Sequence, residues 1–123
     1  SQIPTTFFTF SHTMDSQTAR QVVMNQTNLT TVDSFLSRLG QQQPPIPGQV
    51  TSVLLALKVI REDLKGAEQI DRSLAAALHQ LAYDGRQLYE QGKRAKVEWP
   101  PLLNADIERI AIATTQIFKG EAS

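Results

Sequence analysis

Between glycines 48 and 66 the chain reads QVTSVLLALKVIREDLK, residues 49–65. Val50, Val53, Leu54, Leu57, Ile60 or Arg61, and Leu64 recur at the three-and-four spacing that lines one helical face. Leu55 and Val59 fall beside this stripe and widen it. The pattern predicts a central helix covered by neighbours on more than one side.

The same periodicity, punctuated by capping residues, predicts the other helices. Asp15 or Ser16 is a plausible N-cap for a helix through about Gln26, with Ala19, Val22, Val23 and Gln26 inward. A short helix follows, capped by Thr30 or Thr31, with Val32, Phe35, Leu36 and Leu39 as its stripe and Gly40 as a left-handed stop. Residues 40–48, GQQQPPIPG, form a proline-rich extended connection, because proline removes donors and restrains the backbone. Beyond Gly66, a long helix begins near Ala67 or Asp71. Its inner face holds Ile70, Leu74, Ala77, Leu78, Leu81 and Leu88, and Gly92 is expected to end it. Gly85 falls mid-helix, where glycine costs about 1 kcal/mol relative to alanine, so it implies a close contact or a bend. Glu98-Trp99-Pro100-Pro101 makes a rigid corner before a last helix, from Pro101 or Asn104 to about Lys119. Leu103, Ile107, Ile110, Thr114 and Ile117 repeat there in alternating fours and threes, close to a coiled-coil seam, with Ile112 and Phe118 widening it.

The expectation is an all-α protein: an antiparallel helical bundle of three long and one or two short helices, forming a single domain over residues 1–123. Residues 1–14, which include the strand-like but partnerless stretch TTFFTF, are read as an extended arm. The arm either lies over its own bundle or is exchanged with a second subunit.

Composition narrows the chemistry. Twelve basic residues balance twelve acidic ones, which argues against a chain that coats nucleic acid or an anionic membrane by bulk charge. No window is apolar for long enough to span a bilayer. The chain has no cysteine, so disulfides, thiolate nucleophiles and cysteine zinc sites are excluded. A reducing, cytoplasmic setting is expected.

Motifs for catalysis are missing. Neither His12 nor His79 follows a glutamate by three residues, as a di-iron bundle requires. No Gly-x-Ser-x-Gly elbow and no phosphate-cradling glycine loop occurs. His79 is expected to border the core or to pack against Tyr83. No cofactor and no metal is implied.

One cluster invites a binding role: Arg86, Lys93, Arg94 and Lys96, followed by Trp99. Four cations and an aromatic at one helix end suit an anionic partner, whether an acidic protein segment, a phosphate-bearing ligand or a nucleic-acid backbone. Lys58, Arg61 and Lys65 would extend it into a strip if the two helices presented those faces together. Glu62, Asp63, Glu90 and Glu98 compete for the same cations, so a solvated surface that complements the helix dipole is the plainer reading. Trp99 likewise reads first as a packing anchor and second as a binding residue. The leading expectation is therefore a non-enzymatic helical interaction, regulatory or assembly protein. Self-association through the last helix or the phenylalanine arm is expected, with an anionic ligand or nucleic acid as the alternative partner.

Overall fold

The computed structural model describes residues 14–120, all of whose regular structure is helical. Five helices follow in order: α1 Ser16–Gln26, α2 Phe35–Gly40, α3 Gln49–Asp63, α4 Arg72–Arg94 and α5 Leu103–Lys119. Four are long and α2 has only six residues. The predicted N-terminal arm, Met14 apart, lies outside the described residues.

Three helices start on side-chain caps. Asp15, Ser34 and Asp71 accept backbone N–H bonds from Thr18, Ser37 and Leu74, respectively, which satisfies donors that an open helix end leaves unpaired. The Ser34 cap corrects the expected start of α2 at Thr30 or Thr31. Val32 consequently falls in the preceding turn and is 67% exposed. Gly40 is the last helical residue rather than the left-handed stop, and Gln42 takes the positive φ of 64° instead.

α1 packs on α3, α3 on α5, α5 on α4 and α4 on α1, closing a ring, while α2 lies against α4. The chain neighbours α3 and α4 thus stand diagonally opposite, and residues 64–71 cross one end of the bundle. Successive long helices alternate in direction. Arg20, early in α1, pairs with Asp63 at the end of α3 at 3.0 Å, and Arg86 of α4 reaches Asn104 at the start of α5 at 2.7 Å. Because two helices bracket α3, its stripe of Val53, Ala56, Leu57 and Ile60 is buried. Leu55, expected to widen that stripe, is 42% exposed on the outer side.

The seam of α5 is buried in full at Leu103, Ile107, Ile110, Thr114 and Ile117. It is used inside the bundle, so it is not a face for self-association. Ile112 and Phe118, expected to widen it, are about half exposed, at 50% and 47%. α2 is too short to hold itself together and is retained by burial: Phe35, Leu36 and Leu39 are 0–1% exposed.

The 22-residue connection between α1 and α3 is fixed by glutamine amides. Gln49, 8% exposed, donates from Nε2 to Gln26 Oε1 at 2.9 Å and to the Asp33 carbonyl at 2.8 Å. Its Oε1 accepts the Ile46 N–H at 3.0 Å, and Gln26 Oε1 also accepts the Phe35 N–H at 2.8 Å. Gln41 Nε2 bonds the carbonyls of Val32 and Ser37 at 2.8 and 2.9 Å.

Gln49→Glu removes both donors and sets a buried carboxylate against two acceptor oxygens. A loss of about 2–4 kcal/mol is expected by urea denaturation, partly relieved in acid, where a protonated carboxyl regains a donor. The Asp15 carboxyl is held below its ordinary pKa, first by the Thr18 backbone N–H and then by the Thr18 hydroxyl. Its stabilisation is complete above the unfolded-state pKa and is lost as pH falls through the lower folded one. Stability measured against pH is expected to fall less steeply in that acid window for Asp15→Asn, which keeps a capping oxygen but does not titrate.

Candidate functional site

The predicted cluster lies where α4 outlasts α5 and the chain turns back through Trp99. Arg86, Tyr89 and Lys93 fall three and four residues apart and share one face of α4. Their centre is Tyr89, 9% exposed. The Arg86 guanidinium lies 5.4 Å and Lys93 Nζ 5.9 Å from its ring centroid, and Trp99 stacks on it at 6.0 Å with planes 25° apart. The Trp99 indole N–H donates to the Tyr89 carbonyl at 3.0 Å. The sequence reading leaves Tyr89 out of the basic cluster. Its spacing from Arg86 and Lys93 was the available signal, and only the return of Trp99 gives that spacing meaning.

Arg86 is already engaged. Its guanidinium meets Glu90 and Glu108, both at 3.3 Å, besides Asn104. It clamps α4 to α5 and contributes little free charge. Lys93, Arg94 and Lys96 are exposed and form no ion pair among the described residues. Lys58, Arg61 and Lys65 do not extend the cluster, which corrects the expected strip. They stand toward the end of α3 where α4 begins, and α4 then runs 23 residues, about 34 Å, to Arg94. Arg61 turns instead to Gln116 of α5, at 2.6 Å, and Lys65 to Glu62 at 3.3 Å.

Gly92 does not end α4, contrary to expectation. It is buried within the helix because the Trp99 indole lies directly on it: a Cβ there would come within 2.7 Å of Trp99 Cε2 and Nε1 and closer still to Cζ2. The helix stops at Arg94. Lys96 adopts φ +70°, and the N–H groups of Val97 and Lys96 return to the carbonyls of Gly92 and Lys93 at 2.9 and 3.0 Å. This is the double closure of a Schellman stop, with lysine where glycine is usual.

Three surface grooves are lined by other residues, and Arg86, Tyr89, Lys93, Arg94, Lys96 and Trp99 border none of them. One of about 440 Å³ runs between α2 and α4, with Leu29, Leu36 and Leu88 among its lining and Asp84 and Gln87 at its side. A second, of about 490 Å³, overlies the glutamine hub. The third, of about 250 Å³, lies where residues 45–51 meet residues 100–106. None of the three includes His79, Tyr83 or Tyr89. His79 and Tyr83 stack on the outer face of α4, centroids 5.5 Å apart and planes 9° apart. Among the described residues no group of three or more His, Asp or Glu side chains is placed to hold a metal ion, and no helix is long and apolar enough to cross a membrane. Comparison with protein-family models, with curated proteins and with solved structures found no match to this chain.

The two interior glycines of α4 are expected to respond in opposite senses. At Gly85 a new Cβ would meet only Phe35 Cε2 at 3.8 Å and Leu36 Cδ2 at 4.0 Å, ordinary contact distances. Gly85→Ala should therefore gain up to about 1 kcal/mol of helix propensity. Gly92→Ala must displace the indole and should cost about 1–3 kcal/mol. Thermal unfolding of both variants, with Trp99 fluorescence as the local probe, checks the pair.

Proposed function

We propose that this chain is a non-enzymatic helical interaction protein that assembles with copies of itself. The observation that carries this reading is a knob beside a hole. Leu29 and Val32 are 62% and 67% exposed in a turn stiffened by Asn28, whose Oδ1 accepts the Thr30 N–H at 3.0 Å and the Thr30 hydroxyl at 2.7 Å. The apolar groove between α2 and α4 opens next to that turn, with Leu29 itself on its wall. A patch that carries both a projecting apolar knob and an apolar recess is self-complementary under a two-fold axis.

The interior supports the same reading. Buried positions are apolar except for Thr27, Ser34, Ser37, Gln49 and Thr114, all of which bond to neighbouring groups of the fold. No Asp, Glu, Lys, Arg or His is buried among the described residues, so these charged side chains all reach the surface, where partners are met. The lack of cysteine fits the cytoplasmic setting expected from the sequence.

Sedimentation equilibrium across micromolar concentrations tests the assembly. A concentration-dependent mass above 13.7 kDa is expected, and Leu29→Asp with Val32→Asp should return the protein to monomer with its helices intact by circular dichroism, because both side chains are exposed in the single chain, while the unfolding temperature loses its dependence on protein concentration. A strict monomer would overturn the reading.

A further inference from the structure

A fourth groove, of about 120 Å³, opens at the end of the bundle away from the proline corners, between residues 64–70 and residues 117–120. Leu64 and Ile70 in its lining are only partly buried against the core, and Phe118 is 47% exposed. Glu68, Gln69 and Lys119 add polar walls. The start of α1 stands at this same end. Arg20 meets Asp63 at 3.0 Å, Ser16 lies about 6 Å further out along the α1 axis, and α3 passes from Asp63 directly into Leu64. Met14, just before α1, is itself partly buried against the core. α1 and α5 are diagonal in the ring, which at about 8–10 Å between neighbouring axes is a crossing of roughly 14 Å. Counted back from Met14, Phe10 is within about 14 Å and Phe8 within about 21 Å of extended chain.

We infer that this end of the bundle is a docking surface for the chain's own N-terminal segment, residues 3–11, with the rings of Phe8 and Phe10 seated between Ile70 and Phe118. Three features name that occupant besides its reach. The stretch reads IPTTFFTFS and carries no formal charge, so neither Glu68 nor Lys119 meets a like charge. In an extended segment Phe8 and Phe10 fall on one face and Thr9 and Ser11 on the other, which suits a groove with apolar and polar walls. A tether of a few residues gives an effective concentration on the order of millimolar, so the segment in cis outcompetes that of a second chain at micromolar concentration. Residues 121–123, Glu-Ala-Ser, also adjoin the groove in sequence but bring no large apolar side chain. The surface shares no residue with the Leu29 and Val32 patch, so it does not rest on the self-association reading, and it assigns the arm to its own bundle rather than to exchange.

Paired cysteines in the full chain test the inference, since the chain has no cysteine of its own. Under mild oxidation, Thr9→Cys with Gln69→Cys is expected to close a disulfide within one chain at least about tenfold faster than Thr9→Cys with Thr51→Cys, whose second thiol stands near the start of α3 at the other end. Gln69 and Thr51 are both exposed, and circular dichroism verifies that each variant keeps its helices. In the chain without cysteine, Phe8→Ser with Phe10→Ser, and separately Phe118→Ala, are each expected to lower the unfolding temperature. Combined, they should lower it by less than the sum of the two, because they remove the same contact. Equal closure rates for the two cysteine pairs would overturn the proposal, as would additive losses of unfolding temperature. A disulfide that forms between two chains instead of within one, seen as a covalent dimer, would overturn it in favour of an exchanged arm.

Discussion

The buried amide of Gln49 is the contact on which the first half of the molecule depends. α1 and α3 are joined by 22 residues in which the short α2 buries Phe35, Leu36 and Leu39, while the turns on either side of it have few apolar side chains to fix their path. One side chain supplies the missing constraint by donating to Gln26 and to the Asp33 carbonyl while accepting from Ile46. In a site shielded from water each of these bonds is strengthened, and leaving any of them unmade carries the full desolvation cost. The turns on either side of α2 are thereby held, while burial of Phe35, Leu36 and Leu39 keeps α2 itself against α4 near Gly85. Gln26, Gln41 and Gln49 thus share a structural use: their amides stand in for the regular backbone ladder that the connection lacks.

At the far end of α4 a different device does comparable work. The chain reverses by laying an indole on a glycine, and the small residue permits a close approach that any Cβ would prevent. Tyr89 fills the other side and collects Arg86, Lys93 and Trp99 around one ring. A cation held near an aromatic face keeps its charge while losing some of its freedom. The result is an ordered end surface in which Arg86 is consumed by carboxylates and three other cations remain available.

These two rigid features lie at the same end of the bundle. Among the described residues no Asp, Glu, Lys, Arg or His is buried, and the buried threonines, serines and Gln49 bond to the fold itself. The surface carries a stiffened turn that exposes Leu29 and Val32 beside an apolar groove, and a proline-walled recess between residues 45–51 and 100–106.

Local physics was sufficient for much of the chain. Apolar spacing located four of the five helices to within a few residues, Asp15 and Gly48 marked where α1 and α3 begin, and the seam of α5 was read residue by residue. Those features depend on neighbours within one or two turns, which the sequence contains. The ring order, the diagonal placement of α3 and α4, the burial of Gly92 within its helix and the separation of Lys58, Arg61 and Lys65 from the α4 cluster were decided by the tertiary structure. A stripe tells which side of a helix avoids water but not which helix covers it, so Leu55, Ile112 and Phe118 looked like core and proved exposed. Glycine gave the sharpest case, since the same residue ends a helix through its backbone freedom or admits a neighbour through its missing side chain, and only the indole of Trp99 arriving from seven residues away chose between them.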